Sequence, residues 1–234
     1  MIDPQIMLIT GTRKGIGRYL AEYYAKKGFR VFGCSREPME ATWENYHHFC
    51  LDVCDEQKAV EMFSEIRRRH KRLDVLINNA AVNVVRAPMA LVPYEAAVRT
   101  LSTNVLGTFL MSREGAKLMI RNSYGRIINI GSMAVAHELK GEGIYTASKS
   151  AVASLTRVMA KEMFQYGITC NVVAPSAIRT DLLKGVDQGA LDKVLKRNAI
   201  QEIGHLEDIS HTIDWLIGPG SGGVTSQIIY LGGV

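Results

Sequence analysis

Ile6-Met7-Leu8-Ile9-Thr10-Gly11-Thr12-Arg13-Lys14-Gly15-Ile16-Gly17 is the stretch that decides the fold. An apolar, β-rich run of strand length passes directly into a turn with three glycines, and a helical pattern opens at Gly15. Glycines permit a tight turn and a close approach of backbone to an anion at a helix N-terminus. The spacing is not G-x-G-x-x-G, nor the P-loop, which needs Gly-Lys followed by Ser or Thr. In this context the turn predicts a dinucleotide site at Gly11, Thr12, Arg13, Lys14, Gly15, Ile16 and Gly17. The alternative is a plain tight βα turn.

Outward from that turn, short apolar runs alternate with longer amphipathic segments. Strands are expected at 6–10, 30–34, 48–52, 75–78, 126–130, 169–174 and 228–231. Helices are expected at 15–27, 56–70, 94–103, 105–121, 145–166 and 207–216. The alternation implies α/β architecture, with a parallel sheet covered by helices on both faces. No linker, repeat or low-complexity tract interrupts 1–234, so a single domain is expected. Residues 176–200 form the longest stretch without a strand, with a short helix expected at 190–197. Such an excursion reads as a substrate lid, or else as a surface loop.

The chain has 234 residues, 47% hydrophobic and 22% charged, a globular composition. No apolar run approaches the roughly 20 residues of a membrane span. No signal peptide is visible at the N-terminus, so a cytoplasmic protein without membrane attachment is expected. Cys34, Cys50, Cys54 and Cys170 form no metal-binding spacing and read as buried reduced thiols, even with His47 and His48 nearby; no metal is expected. The net charge of +5 is compatible with a phosphate-bearing ligand. The run Arg67–Arg72 suits a helix C-terminus, and no aromatic-interleaved stripe points to nucleic acid.

The chemistry concentrates in Tyr145-Thr146-Ala147-Ser148-Lys149, with Ser132 and Asn104 upstream. On a helix Tyr145 and Lys149 share a face. A fixed ammonium beside a phenol favours the phenolate and lowers a pKa that is ordinarily about 10. Ser132 is placed to hold a carbonyl oxygen beside the phenol. At the end of the second strand, Ser35 and Arg36 stand where an acidic residue would hold an unphosphorylated ribose. With Arg13 and Lys14 they favour NADP(H) over NAD(H), although Glu37 opposes this. Asp52 and Val53, and Asn79 and Ala80, end the third and fourth strands and are candidates to line the cofactor, or else tie strand ends together. His137 is a candidate substrate contact or a surface histidine, and Glu138 and Glu142 read as a solvated turn. Leu106, Phe109, Leu110, Val152, Leu155 and Met159 fall at helical spacings, and most are expected against the sheet.

These motifs together, in order and spacing over nearly the whole chain, resemble the short-chain dehydrogenase/reductase family. The resemblance implies a Rossmann-type, doubly wound seven-stranded parallel sheet in the order 3-2-1-4-5-6-7. Within the family the chain is most similar to the 3-oxoacyl-acyl-carrier-protein reductase type. Residues 125–132, 167–175 and 178–181 carry that narrower likeness.

By the resemblance, the catalytic residues are Asn104, Ser132, Tyr145 and Lys149. Tyr145 is the general acid, Lys149 binds the nicotinamide ribose and depresses the pKa of Tyr145, and Ser132 orients the substrate oxygen. Asn104 holds a water linking Lys149 to solvent. Pro175, Ile178 and Thr180 hold the nicotinamide. The implied activity is NADPH-dependent reduction of a carbonyl, with a 3-oxoacyl thioester as the leading substrate and acyl carrier protein as a partner. A homotetramer is implied, with a dimer as the fallback. A sugar or secondary-alcohol dehydrogenase shares every catalytic residue. A cofactor-sensing protein on the same fold tends to lose the tyrosine or lysine, and both are intact here. Three departures stand out. Ala81 replaces a glycine, Ser176 replaces a glycine after Pro175, and Tyr166 replaces a basic carrier-docking residue, although Arg126 is retained.

Overall fold

Strand β1 (Ile6–Thr10) is buried on both faces, and its alternating side chains seed two cores. Ile6 and Leu8 face one layer, and Met7 and Ile9 the other. The computed structural model describes residues 4–40, 43–178 and 188–234. Within them β1, β2 (Arg30–Ser35), β3 (Tyr46–Cys50), β4 (Val75–Asn78), β5 (Gly125–Ile130), β6 (Ile168–Ala174) and β7 (Ile228–Tyr230) form one sheet. Its order is β3-β2-β1-β4-β5-β6-β7, and every pairing is parallel. This is the expected Rossmann-type topology.

Helices α1 (Gly15–Lys26) and α8 (Leu206–Ile217) cover the face of Met7 and Ile9, contributing Leu20, Tyr24, Ile209, Ile213 and Leu216. Helices α2 (Glu56–His70), α4 (Thr108–Arg121) and α6 (Gly143–Met163) cover the other face, contributing Phe63, Ile66, Met111, Met119 and Met159. Asp55 caps α2 by accepting from the Lys58 amide, and four basic residues, Arg67 to His70, suit its C-terminal dipole. Two short helices, α5 (Ala134–His137) and α7 (Gln188–Leu195), lie on the carboxyl side of the sheet.

Several boundaries differ from expectation. The third strand is Tyr46–Cys50, not 48–52, because its pairing with β2 begins at Val31 opposite Tyr46. As an edge strand it is only half-buried, so its apolar signal is weak. The helices expected at 94–103 and 105–121 are one helical run. Helix α3 (Tyr94–Leu101) passes through a π-helical segment, Ser102–Gly107, into α4. Gly107 sits where a side chain would strike Val53. Leu106 and Phe109 are exposed, while Leu110, Val152 and Met159 are buried as expected. Cys34 and Cys170 are buried, but Cys50 and Cys54 are exposed, because Cys50 ends the edge strand and Cys54 follows it. No helix among the described residues is long and apolar enough to cross a membrane.

Candidate active site

The carboxyl ends of β1 and β4 are where the strand order reverses, the place an open α/β sheet makes a crevice. A cleft of about 950 Å³ opens there. One end is walled by Gly11, Arg13, Lys14, Gly15 and Ile16 with Ser35, Arg36, Asp52 and Val53. Asn79, Ala80 and Ala81 form the floor, and Ser132, Tyr145, Lys149, Pro175 and Ile178 the other end. Thr180 lies outside the described residues.

The glycine turn is held by backbone packing. Gly11 has φ +73°, and a Cβ on Gly17 would collide with the Gly11 carbonyl oxygen, so α1 can start tight against the turn only with glycine there. Thr10 Oγ1 accepts from the amides of Asn79 (3.0 Å) and Ala80 (2.9 Å), and Asn79 Nδ2 donates back to the Thr10 carbonyl at 2.8 Å. Lys14, the N-cap of α1, gives no side-chain cap. The first amides of α1 therefore meet the cleft at Gly15 and Ile16 beside Arg13, Lys14 and Arg36, an arrangement that fits a bound phosphate. Thr12 and Gly17 are not brought to the wall. Both are buried, and Thr12 turns its hydroxyl toward β3.

At the other end the start of α6 sets Tyr145 and Lys149 one turn apart. Ser132, just past β5, accepts the Ala134 amide at 3.1 Å, which fixes its hydroxyl at the mouth of α5. That hydroxyl sits beside the Tyr145 phenol and favours its charged form. Lys149 is 5% exposed. Its Nζ donates to the Ile130 carbonyl at 2.7 Å and lies 5.9 Å from the Tyr145 ring centroid. Burial pushes the Lys149 ammonium down to about 8. Tyr145 is pushed above the ordinary phenol value, chiefly by burial and further by Glu142, with Ser132 and Arg86 pulling the other way. The net shift is thus upward, not the expected depression. The ammonium is itself desolvated and directed at a carbonyl, and burial of the phenol dominates.

Asn104 lies behind the wall, in the π-helical segment. Its Oδ1 accepts the Val82 amide at 2.8 Å, and its Nδ2 donates to the Val82 carbonyl (2.9 Å) and Ser148 Oγ (2.9 Å). The wider turn aims this side chain inward, and its three bonds hold the β4 loop against α6. Its own carbonyl accepts Thr108 Oγ1 at 2.8 Å.

A family model described as short chain dehydrogenase matches residues 5–190. The chain belongs to the short-chain dehydrogenase family. A short-chain type dehydrogenase/reductase of Picea abies is 30% identical over 98% of this chain and 91% of its own length. A 3-oxoacyl-[acyl-carrier-protein] reductase of Buchnera aphidicola is 29% identical over 99% of this chain and 97% of its own. The solved structure of ElxO with NADP bound aligns with a TM-score of 0.89 at 29% identity, covering 97% of each chain. As a short-chain dehydrogenase the protein is an NAD(P)-dependent oxidoreductase acting on CH–OH groups.

The site of this short-chain dehydrogenase also holds residues that the sequence reading missed. Arg86 Nε pairs with Glu142 Oε1 at 2.8 Å across the cleft, and Asn83 Nδ2 reaches the same oxygen at 3.4 Å. Glu142 is therefore a shielded, paired carboxylate rather than part of a solvated turn. No local pattern signals it, because Arg86 lies 56 positions away in sequence. His137, expected either as a substrate contact or on the surface, lines the cleft and meets Asn198 Oδ1 at 2.7 Å; Asn198 Nδ2 donates to Ser176 Oγ at 2.8 Å. Ser176, where the family has glycine, thus joins the segment after β6 to the region after α7. Arg126 is 5% exposed, donates to the Gly125 carbonyl at 2.8 Å and lies under the Tyr124 ring. It is part of the interior, not a docking cation.

Proposed function

We propose that this short-chain dehydrogenase reduces a ketone to a secondary alcohol with NADPH, and that its substrate class is a 3-oxoacyl thioester. The convergence of Ser132, Tyr145 and Lys149 at one end of the cleft carries the reading. The Tyr145 phenol carries a proton at neutral pH and is the group beside Ser132 that can give it to a substrate oxygen in the reducing direction. Ser132 orients the substrate oxygen against that phenol. NADPH, when bound, would supply the hydride. Tyr145 gives its proton to the oxygen, and the resulting phenolate is stabilised by the Lys149 ammonium and the Ser132 hydroxyl. Lys149 also binds the nicotinamide ribose. Asn104 holds a water through which protons return to Lys149. Pro175, Ile178 and Thr180 hold the nicotinamide, and Ser35, Arg36, Arg13 and Lys14 hold the 2′-phosphate. NADP(H) is preferred on the strength of those cations and of an NADP-bound relative in structure.

The thioester assignment draws on the reductase of Buchnera aphidicola. Docking of an acyl carrier protein draws no support from Arg126 and rests on that likeness alone. A second reading, oxidation of a polyol or hydroxy acid, is favoured by the Arg86–Glu142–Asn83 array near Tyr145, which offers donors and acceptors to a polar substrate. We assign one catalytic domain, residues 176–200 as its lid, of which 179–187 lie outside the described residues, and a cytoplasmic homotetramer. The exposed Leu106, Phe109, Val158 and Phe164 on the α4 and α6 side support the assembly.

Steady-state reduction of acetoacetyl thioesters with NADPH and NADH in parallel, beside oxidation of a polyol and hydroxy-acid panel, tests the assignment. Turnover of acetoacetyl thioesters with NADPH is expected. Turnover confined to the polyol panel selects the second reading.

A further inference from the structure

Between the glycine turn and the ends of β2 and β3 runs a hydrogen-bonded chain that the proton transfer does not use. Thr12 Oγ1 lies 2.7 Å from Tyr46 Oη, and Tyr46 Oη lies 2.8 Å from His48 Nδ1. His48 Nε2 lies 3.0 Å from Ser35 Oγ and 3.3 Å from the Glu37 carbonyl oxygen. Ser35 Oγ donates to that same carbonyl at 2.7 Å. The space for the chain exists because residue 33 is glycine. A side chain there would strike the Tyr46 and Thr12 hydroxyls.

One tautomer of His48 serves every acceptor along the chain. A carbonyl only accepts, so the contact with Glu37 requires the proton on His48 Nε2. Burial disfavours the imidazolium, which leaves Nδ1 as an acceptor for the Tyr46 hydroxyl. Tyr46 in turn accepts from Thr12. The single proton of Ser35 is committed to the Glu37 carbonyl. Ser35 lines the cleft, whereas His48 stands behind it. For Ser35 to donate to a ligand anion it must release the Glu37 carbonyl, and an abandoned acceptor in a half-covered site is unfavourable. His48 Nε2–H is already within reach of that oxygen.

We propose that His48 is a positioning residue for cofactor choice: its Nε2–H takes over the Glu37 carbonyl and so frees the Ser35 hydroxyl to donate to the 2′-phosphate of the dinucleotide. The inference rests on the NADPH reading and extends it to a strand, β3, outside the cleft wall.

Calorimetric titration of the full chain with 2′,5′-ADP and with ADP tests it without turnover. The wild-type chain is expected to bind 2′,5′-ADP more tightly than ADP. Ser35→Ala should weaken 2′,5′-ADP by roughly tenfold, the size of one charge-assisted hydrogen bond, and leave ADP unchanged. His48→Asn keeps a partner for Tyr46 but withdraws the donor at the Nε2 position. It should show a similar selective loss although it touches no ligand, and the Ser35→Ala/His48→Asn double variant should lose little more. His48→Gln, whose amide reaches the Nε2 position, should restore binding, a rescue that a merely structural role does not give. Wild-type affinity for 2′,5′-ADP in His48→Asn, or fully additive losses in the double variant, would overturn the inference while leaving the NADPH reading intact. Equal wild-type affinity for the two nucleotides would overturn both.

Discussion

Lys149 Nζ donates to the carbonyl of Ile130, the last residue of β5, at 2.7 Å. The bond ties the start of α6 to the sheet and holds a cation in a place where burial opposes its charge. Function and stability therefore conflict at this position. Lys149→Met should abolish turnover and raise the melting temperature at pH 7. The sign follows from linkage. Below about 8 the lysine is charged both folded and unfolded, and the full burial cost applies. As pH rises above that, the folded protein sheds the proton first, so the advantage of the variant should shrink toward the ordinary lysine value. Melting temperatures of the two proteins from pH 6 to 10 check this; a constant gap would contradict it.

Tyr145→Phe removes the acid and keeps the ring. Turnover should fall by about 10²–10⁴-fold, while nucleotide binding measured by fluorescence stays within a few-fold. Substantial residual reduction would reassign the proton donor.

Glu142 raises the Tyr145 phenol and Arg86 lowers it, so the pair adjusts a titration that burial dominates. Oxidation needs the phenolate, and its rate rises with pH through that titration. Glu142→Gln should move the rise to lower pH, and Arg86→Gln to higher pH. Ser132→Ala should also move it higher, together with a large loss of rate. Rate–pH profiles for alcohol oxidation distinguish these directions.

Arg13 pairs with Glu37 at the rim of the basic wall, both side chains well exposed. An exposed pair contributes little to stability, so Glu37→Gln should leave the melting temperature within about 1–2 °C. Releasing Arg13 should tighten NADPH a few-fold relative to NADH, measured as the ratio of their dissociation constants.

Asn104 satisfies both backbone groups of Val82 and the Ser148 hydroxyl from one buried amide. Asn104→Leu strands both Val82 groups and removes one donor to Ser148 Oγ, whose own proton stays on the Tyr145 carbonyl, and a loss of about 2–4 kcal/mol of unfolding free energy is expected. Urea denaturation measures it, and a loss below about 1 kcal/mol would place the stabilisation elsewhere.

By itself the sequence determined the alternation of strands and helices, the glycine turn and the Tyr145–Lys149 spacing, and the resemblance these motifs carry implied the sheet order. These rest on strand periodicity, glycine geometry and the helical turn, which act over a few residues or recur as ordered motifs. Tertiary structure alone decided where charge and protons sit. It set the direction of the Tyr145 shift, the Arg86–Glu142 pair, the interior role of Arg126 and the chain from Thr12 to Ser35 through β3. It also fused two expected helices through a π-helical turn and moved β3 by two residues. The reason is physical. Burial and ion pairing join side chains dozens of positions apart, and desolvation depends on what the folded chain packs around a group.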